Sequence, residues 1–102
     1  MADELFVILQ LKKPIKTSRM TELELKNIME ICNKATPSPW TSYIEGRDLN
    51  SGSGFIMTGE EENRDYDIEF ISIKPEDQDF IAMARNVIPL LVDEIIKLKR
   101  DQ

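Results

Sequence analysis

The pattern that most limits the fold is a short amphipathic helix that two prolines stop. Thr21 precedes Glu24 by three positions, which is the spacing of a capping box at a helix start. Apolar side chains then recur at helical spacing along one face, at Leu25, Ile28, Met29 and Cys32. Pro37 and Pro39 cannot continue a helix. The sequence therefore predicts a helix over residues 21–34 and an extended segment after it.

The middle of the chain carries strand and turn patterns. Residues 40–44 and 55–58 are rich in strand-forming side chains, and the glycines and serines between them favour a turn. Alternation with acidic residues then predicts a half-buried strand at Tyr66, Ile68 and Phe70. Residues 59–65 are interpreted as an acidic connection. Together these patterns predict an antiparallel meander.

A second helical pattern occupies the end of the chain. Pro75 suits a first helical turn. Apolar residues follow at spacings of three or four, at Phe80, Ala84, Val87, Leu91, Ile95 and Leu98. Pro89 lies inside this stripe, so we expect a kink or a break near residues 85–88.

These elements predict an α+β fold. About three antiparallel strands form a small sheet, which the N-terminal helix and the Pro-kinked C-terminal helix cover on one face. Residues 21–102 are predicted to form a single α+β domain. Residues 1–20 are predicted to be an N-terminal extension, in which the apolar run at residues 5–11 is a candidate extra strand.

The residue types exclude several kinds of chemistry. The 102 residues include no histidine, which excludes histidine-dependent triads and most catalytic zinc sites. The one cysteine, Cys32, cannot form an internal disulfide, and its place on an apolar helix face predicts a buried structural thiol. The sequence has no apolar run of membrane-spanning length and no cationic signal-peptide start. We therefore expect a cytoplasmic, non-enzymatic protein without a cofactor.

Negative charge is concentrated in one stretch of the chain. Residues 58–79 hold nine acidic and two basic side chains, whereas the whole protein has a net charge of −6. An acidic patch attracts basic proteins and repels nucleic acid. Tyrosine is also enriched at protein interfaces, so we add Tyr43 to the acidic candidates. The residues that we predict to contact a protein partner are Glu60, Glu61, Glu62, Asp65, Asp67, Glu69, Tyr43, Glu45 and Asp48.

Two features have a second interpretation. Asp65, Asp67 and Glu69 share one face of a regular strand, where paired carboxylates could support glycoside hydrolysis or bind Mg²⁺ or Ca²⁺. A solvated strand face is the simpler explanation of that spacing. Trp40, directly after a Pro-Ser-Pro corner, is predicted to be a core anchor, and a binding hot spot is the alternative.

Two motifs resemble those of a family of small bacterial and phage-encoded proteins. Residues 35–40 are similar to an Ala-Thr-Pro-Gly-Pro-Trp motif, with Ser38 in place of the glycine. Residues 77–91 resemble a second motif, Asp-x-x-Phe-Ile-Ala-x-Ala-Arg-x-x-x-Pro-x-Leu, and residues 43–48 and 51–56 resemble segments between the two. Some proteins of this kind look like immunity partners of interbacterial toxins, including contact-dependent growth-inhibition systems. The resemblance covers about residues 21–98, and its motifs define the fold rather than a catalytic site.

Our leading hypothesis is an immunity protein that binds and neutralises a cognate toxin domain, such as a nuclease with a basic cleft. The alternative is a phage or prophage accessory protein whose carboxylates mimic nucleic acid. A metal-dependent enzyme that uses the carboxylates of residues 65–69 is a third hypothesis. For the leading hypothesis we expect a monomer or weak dimer that contacts neither membrane nor nucleic acid directly.

Overall fold

The computed structural model describes residues 19–50 and 52–101, and over these residues the protein is α+β. In chain order the elements are α1 (Glu22–Lys34), β1 (Trp40–Tyr43), β2 (Phe55–Glu60), β3 (Asn63–Glu69) and α2 (Pro75–Arg100). The strands form one antiparallel sheet in the order β1-β2-β3. The predicted fold class is confirmed. The candidate strand at residues 5–11 lies outside the described residues, and the boundary predicted after residue 20 stays a prediction.

The chain divides into two compact units, and α2 contributes to both. One unit spans residues 36–88 and holds the sheet with the first half of α2. The other unit holds α1 and the part of α2 that begins at Pro89. Helix α2 is continuous through Pro89, so the break that we considered near residues 85–88 does not occur.

Helix α1 begins with the predicted capping box. The Thr21 backbone N–H donates to Oε1 of Glu24 at 2.7 Å, and the Glu24 N–H donates to Oγ1 of Thr21 at 3.1 Å. The hydrogen bond from the Thr21 backbone lowers the pKa of Glu24. Leu25 is fully buried, but Cys32, in the last turn of the helix, is only half-buried. The prediction of a buried thiol is therefore wrong, because the apolar face is less covered where the helix ends.

The register of the sheet separates two faces. Tyr43 lies opposite Phe55, and Phe55 lies opposite Glu69, so these side chains share one face. Ile56 and Thr58 point to the other face and are fully buried. Gln78 of α2 donates to Oγ of Ser42, the register partner of Ile56, which places the first half of α2 against this buried face.

Hydrogen bonds, more than burial, fix Trp40. Its backbone N–H donates to Oδ1 of Asn86, and Nδ2 of Asn86 donates to its carbonyl oxygen, both at 2.8 Å. The indole Nε1 and the Arg85 Nε both donate to the Thr36 carbonyl oxygen. Trp40 is half-buried, and the peptide bond before Pro39 is cis. Residues of the two motifs that carry the resemblance, 35–40 and 77–91, therefore bind each other.

Candidate partner-binding surface

The acidic residues at the end of β2 lie on a tight hairpin. Glu60 pairs with Asn63, so only Glu61 and Glu62 form the turn, and all three glutamates are exposed. The sequence patterns predict an acidic connection over all of residues 59–65. That expectation is wrong, because β2 extends to Glu60 and β3 already begins at Asn63. We call residues 60–62 the hairpin tip.

A bulge next to the hairpin tip changes how the β3 carboxylates are arranged. Met57 pairs with Asp67 and Gly59 pairs with Arg64, so two residues of β3 oppose the single residue between them on β2. The alternation that would place Asp65 on the face of Asp67 therefore does not hold. Asp65 lines a cavity with Glu60, whereas Asp67 lies opposite Met57 and Glu69 lies opposite Phe55, on the other face of the sheet from Ile56 and Thr58.

Asp67 is engaged within the chain. The bulge brings Arg64 to the side of Asp67, and the two form a bidentate ion pair with N–O distances of 2.6 and 3.2 Å. The Asp67 hydrogen bonds raise the pKa of Arg64, and the negative charge of Glu61 adds to this effect. A partner would meet a neutralised pair here, in place of the free carboxylate that we predicted.

Aromatic side chains lie beside this ion pair. The rings of Tyr43 and Phe55 stack with centroids 5.3 Å apart and an interplanar angle of 27°. The guanidinium carbon of Arg64 lies 5.6 Å from the centroid of Phe55. With Met57, these side chains line a cavity of about 390 Å³ that also reaches Asp48, Leu49 and Glu61. We call Tyr43, Phe55, Met57 and Arg64 the aromatic sheet face.

Asp48 has an internal structural role. Its Oδ2 accepts from the Ile44 N–H at 2.8 Å and from Nε of Arg47 at 3.0 Å. Arg47 also makes a bidentate contact with Asp79, with N–O distances of 2.7 and 3.1 Å. The Arg47 hydrogen bonds lower the pKa of Asp48 and lower that of Asp79 to about 2. Arg47 therefore joins the loop after β1 to α2, and Asp48 holds Arg47 within that loop.

The structure brings together some of the predicted residues and separates others. Tyr43 and Glu61 line one cavity, whereas Glu45 lines a different one, between the loops that flank β1 and β2 and the segment before α2. Sequence reasoning missed Phe55, Arg64, Arg47 and Gln78. Arg64 carried a weak signal, since it is one of only two basic residues in the acidic stretch, but the bulge that turns it toward Asp67 has no signal of that kind.

Two further observations concern metals and membranes. Within residues 19–50 and 52–101, no three His, Cys, Asp or Glu side chains are grouped so that they could hold a metal ion. Neither helix of the described chain has the length and apolar character needed to cross a bilayer.

No protein-family model, curated protein or solved structure matches this chain. The resemblance to immunity proteins therefore stays a prediction.

Proposed function

We propose that this chain is a cytoplasmic, non-enzymatic immunity protein that binds a basic toxin domain and blocks it. The observation that carries the proposal is the charge at the hairpin tip. Among the described residues, none of its three carboxylates is ion-paired, and the nearby Arg64 is already bound to Asp67. The tip therefore presents negative charge at a two-residue turn.

In this proposal the aromatic sheet face supplies the contact area that holds the toxin domain after charge has attracted it. Stacked aromatic rings and an arginine are the side chains most enriched among interface hot spots. Glu61 of the hairpin tip lines the same cavity as Tyr43 and Phe55, so the charged and aromatic parts are contiguous. In this arrangement the tip accelerates encounter and the aromatic sheet face determines how long the complex lasts.

A nuclease toxin suits this surface best. An enzyme that binds a polyanionic substrate has a basic cleft, and an acidic protein occupying the cleft would exclude nucleic acid. The resemblance to immunity proteins supports the same partner class. An immunity gene is expected directly downstream of its toxin gene. The domain to test is therefore the C-terminal domain encoded by the gene directly upstream of this one.

Charge reversal tests the role of the hairpin tip. A variant with Glu61→Lys and Glu62→Lys should associate with the toxin domain about tenfold more slowly at low salt. The deficit should shrink in high salt, because the Debye length falls from about 10 Å at 0.1 M to about 3 Å at 1 M. A variant with Glu94→Lys and Asp101→Lys makes the same change in net charge at exposed positions of α2 and its end, and it should keep wild-type rates.

Stoichiometry tests the non-enzymatic part. When this chain is titrated into the toxin domain, toxin activity should fall linearly and reach zero at one chain per toxin domain. Complete inactivation by a small fraction of an equivalent would instead show that the chain acts as a catalyst.

Equal association rates for both reversal variants at both salt concentrations would remove the hairpin tip from the interface. Equally tight binding to several unrelated DNA-binding proteins would replace this proposal with the nucleic-acid mimic.

A further inference from the structure

The cavity that Glu45 lines has a volume of about 320 Å³ and lies at the opposite end of the strands from the hairpin tip. Ile44 and Glu45 line it from the loop after β1, and Ser53 and Gly54 line it from the residues before β2. The segment between β3 and α2 and the first turn of α2 complete the wall. All the lining residues belong to the unit of residues 36–88.

Gln78 is the most informative residue of this cavity. It is 2% exposed, and its Nε2 lies 3.0–3.1 Å from three acceptors, which are Oγ of Ser42 and the carbonyl oxygens of Tyr43 and Phe55. These contacts fix which end of the amide faces the sheet, since only the nitrogen end can donate. The other end, Oε1, then points away from these three acceptors and lies close to Gly54.

The Gln78 Oε1 has no hydrogen-bond donor among the described residues. Every fully buried side-chain nitrogen or oxygen of those residues has a partner, so Oε1 belongs to the small part of Gln78 that is exposed. A Cβ placed on Gly54 would overlap the Tyr43 carbonyl oxygen at 2.8 Å and would contact Oε1 at 3.5 Å. The Tyr43 oxygen therefore requires glycine here, and the missing side chain also leaves Oε1 uncovered on that side. A buried amide acceptor thus faces an open cavity without a donor.

The rest of the wall favours a cation on an aliphatic chain. Glu45 is exposed and forms no ion pair with any described residue, and no basic side chain lines the cavity. Ser53 and Ser72 add hydroxyl acceptors, while Ile44, Phe70 and Pro75 provide apolar surface. Arginine and lysine side chains combine a charged donor with a methylene stem that packs on such surface.

We infer that this cavity binds the cationic end of an arginine or lysine side chain. The Gln78 Oε1 and the Glu45 carboxylate accept its hydrogen bonds, and the apolar wall contacts the stem. The volume is at the lower end of the range for ligand pockets, which suits one side chain better than a larger molecule. In naming a protein side chain as the source, the inference rests on the basic partner of the proposed function.

Capped arginine, N-acetyl-arginine-N′-methylamide, is the probe for this site. Titrated into the ¹⁵N-labelled full chain, it should cause saturable shifts of the Gly54 and Ile71 amide resonances. Capped citrulline has nearly the same shape without the charge, and it should bind about tenfold more weakly. Glu45→Gln should weaken capped arginine about fivefold. Glu94→Gln makes the same charge change at a residue of α2 that does not line this cavity, and it should leave the affinity unchanged.

Two results would overturn the inference: no saturable shift at the lining amides, or equal affinity for capped arginine and capped citrulline. Propylguanidine, a free guanidinium compound with the same single charge, tests whether the group comes from a protein side chain or from a small molecule. Tighter binding of propylguanidine than of capped arginine would overturn the assignment to a protein side chain. No toxin domain enters this titration, so its failure is distinguishable from failure of the proposed function, which the toxin-binding kinetics test separately.

Discussion

Gly59→Ala should strongly destabilise the hairpin that carries the acidic tip. Gly59 has a φ of +87° and lies beside the bulge between β2 and β3. A Cβ at this position would lie 2.7 Å from the carbonyl oxygen of Asn63 and 3.0 Å from the backbone nitrogen of Asp65. Both atoms belong to the backbone of the paired strand, so neither can rotate away, and the strands must separate locally to admit the methyl group.

The expected loss of stability follows from three contributions. A non-glycine residue at positive φ costs about 1–2 kcal/mol, and an overlap that shifts packed backbone costs about 1–3 kcal/mol. Alanine restricts the unfolded chain more than glycine does, which offsets about 0.4–1 kcal/mol. The net loss is about 1–4.5 kcal/mol, which at its upper end is a large fraction of the 5–15 kcal/mol that is typical of a folded protein.

Gly46→Ala is the matched control for this change. Gly46 has a φ of +86°, but nothing lies within 4 Å of the Cβ that it would acquire. It therefore carries the same conformational contributions without the overlap, and the two variants should differ by about 1–3 kcal/mol. Urea unfolding, followed by the fluorescence of Trp40, measures both free energies of unfolding. Equal unfolding midpoints for the two variants would refute the steric argument at Gly59.

Three further predictions concern other contacts. Asn86→Ala removes both hydrogen bonds to the Trp40 backbone and should cost about 2–4 kcal/mol, whereas an unchanged urea midpoint would show that neither bond matters. Because the Arg47 hydrogen bonds lower the pKa of Asp79 from 3.8 to about 2, their stabilisation is complete above about pH 3.8 and is lost as the pH falls through about 2. The stability of Asp79→Asn, measured by urea unfolding at each pH, should fall less over that range than that of the wild type. Cys32 is half-buried, so a thiol reagent should label it more slowly in the native protein than in urea, and equal rates would show that folding gives it no protection.

Local sequence patterns were sufficient for most of the secondary structure. The capping box at Thr21 and the prolines after Lys34 act over a few residues, so the helix end points follow directly from the sequence. Pro75 and the apolar stripe likewise predicted α2, although the surrounding hydrogen bonds of the helix tolerate Pro89 without a break. Trp40 was expected to act through burial, but its hydrogen bonds come from Asn86, 46 positions away.

The candidate surface was less predictable, because it depends on pairings between distant residues. One extra residue in β3 turns Arg64 toward Asp67 and over Phe55, and no local pattern announces that insertion. The orientation of the Gln78 amide is set by hydrogen bonds to the ends of two strands, which lie 23 to 36 positions away in the chain. Acidic composition identified the region correctly as charged, but composition does not distinguish a free carboxylate from one that an arginine already holds.

The pairing of Arg64 with Asp67 also bears on how this surface could diversify among related chains. The two charges cancel beside Phe55, so replacing either residue by a neutral one changes the local charge by one unit. The residue that is replaced determines whether the charge becomes positive or negative. Loss of Asp67 would uncover a cation over Phe55, and loss of Arg64 would uncover an anion at the same place. Neither change requires a new backbone conformation, because both side chains are partly exposed. A single substitution at this pair would thus change the charge beside Phe55 by one unit, while the hairpin tip keeps its three carboxylates.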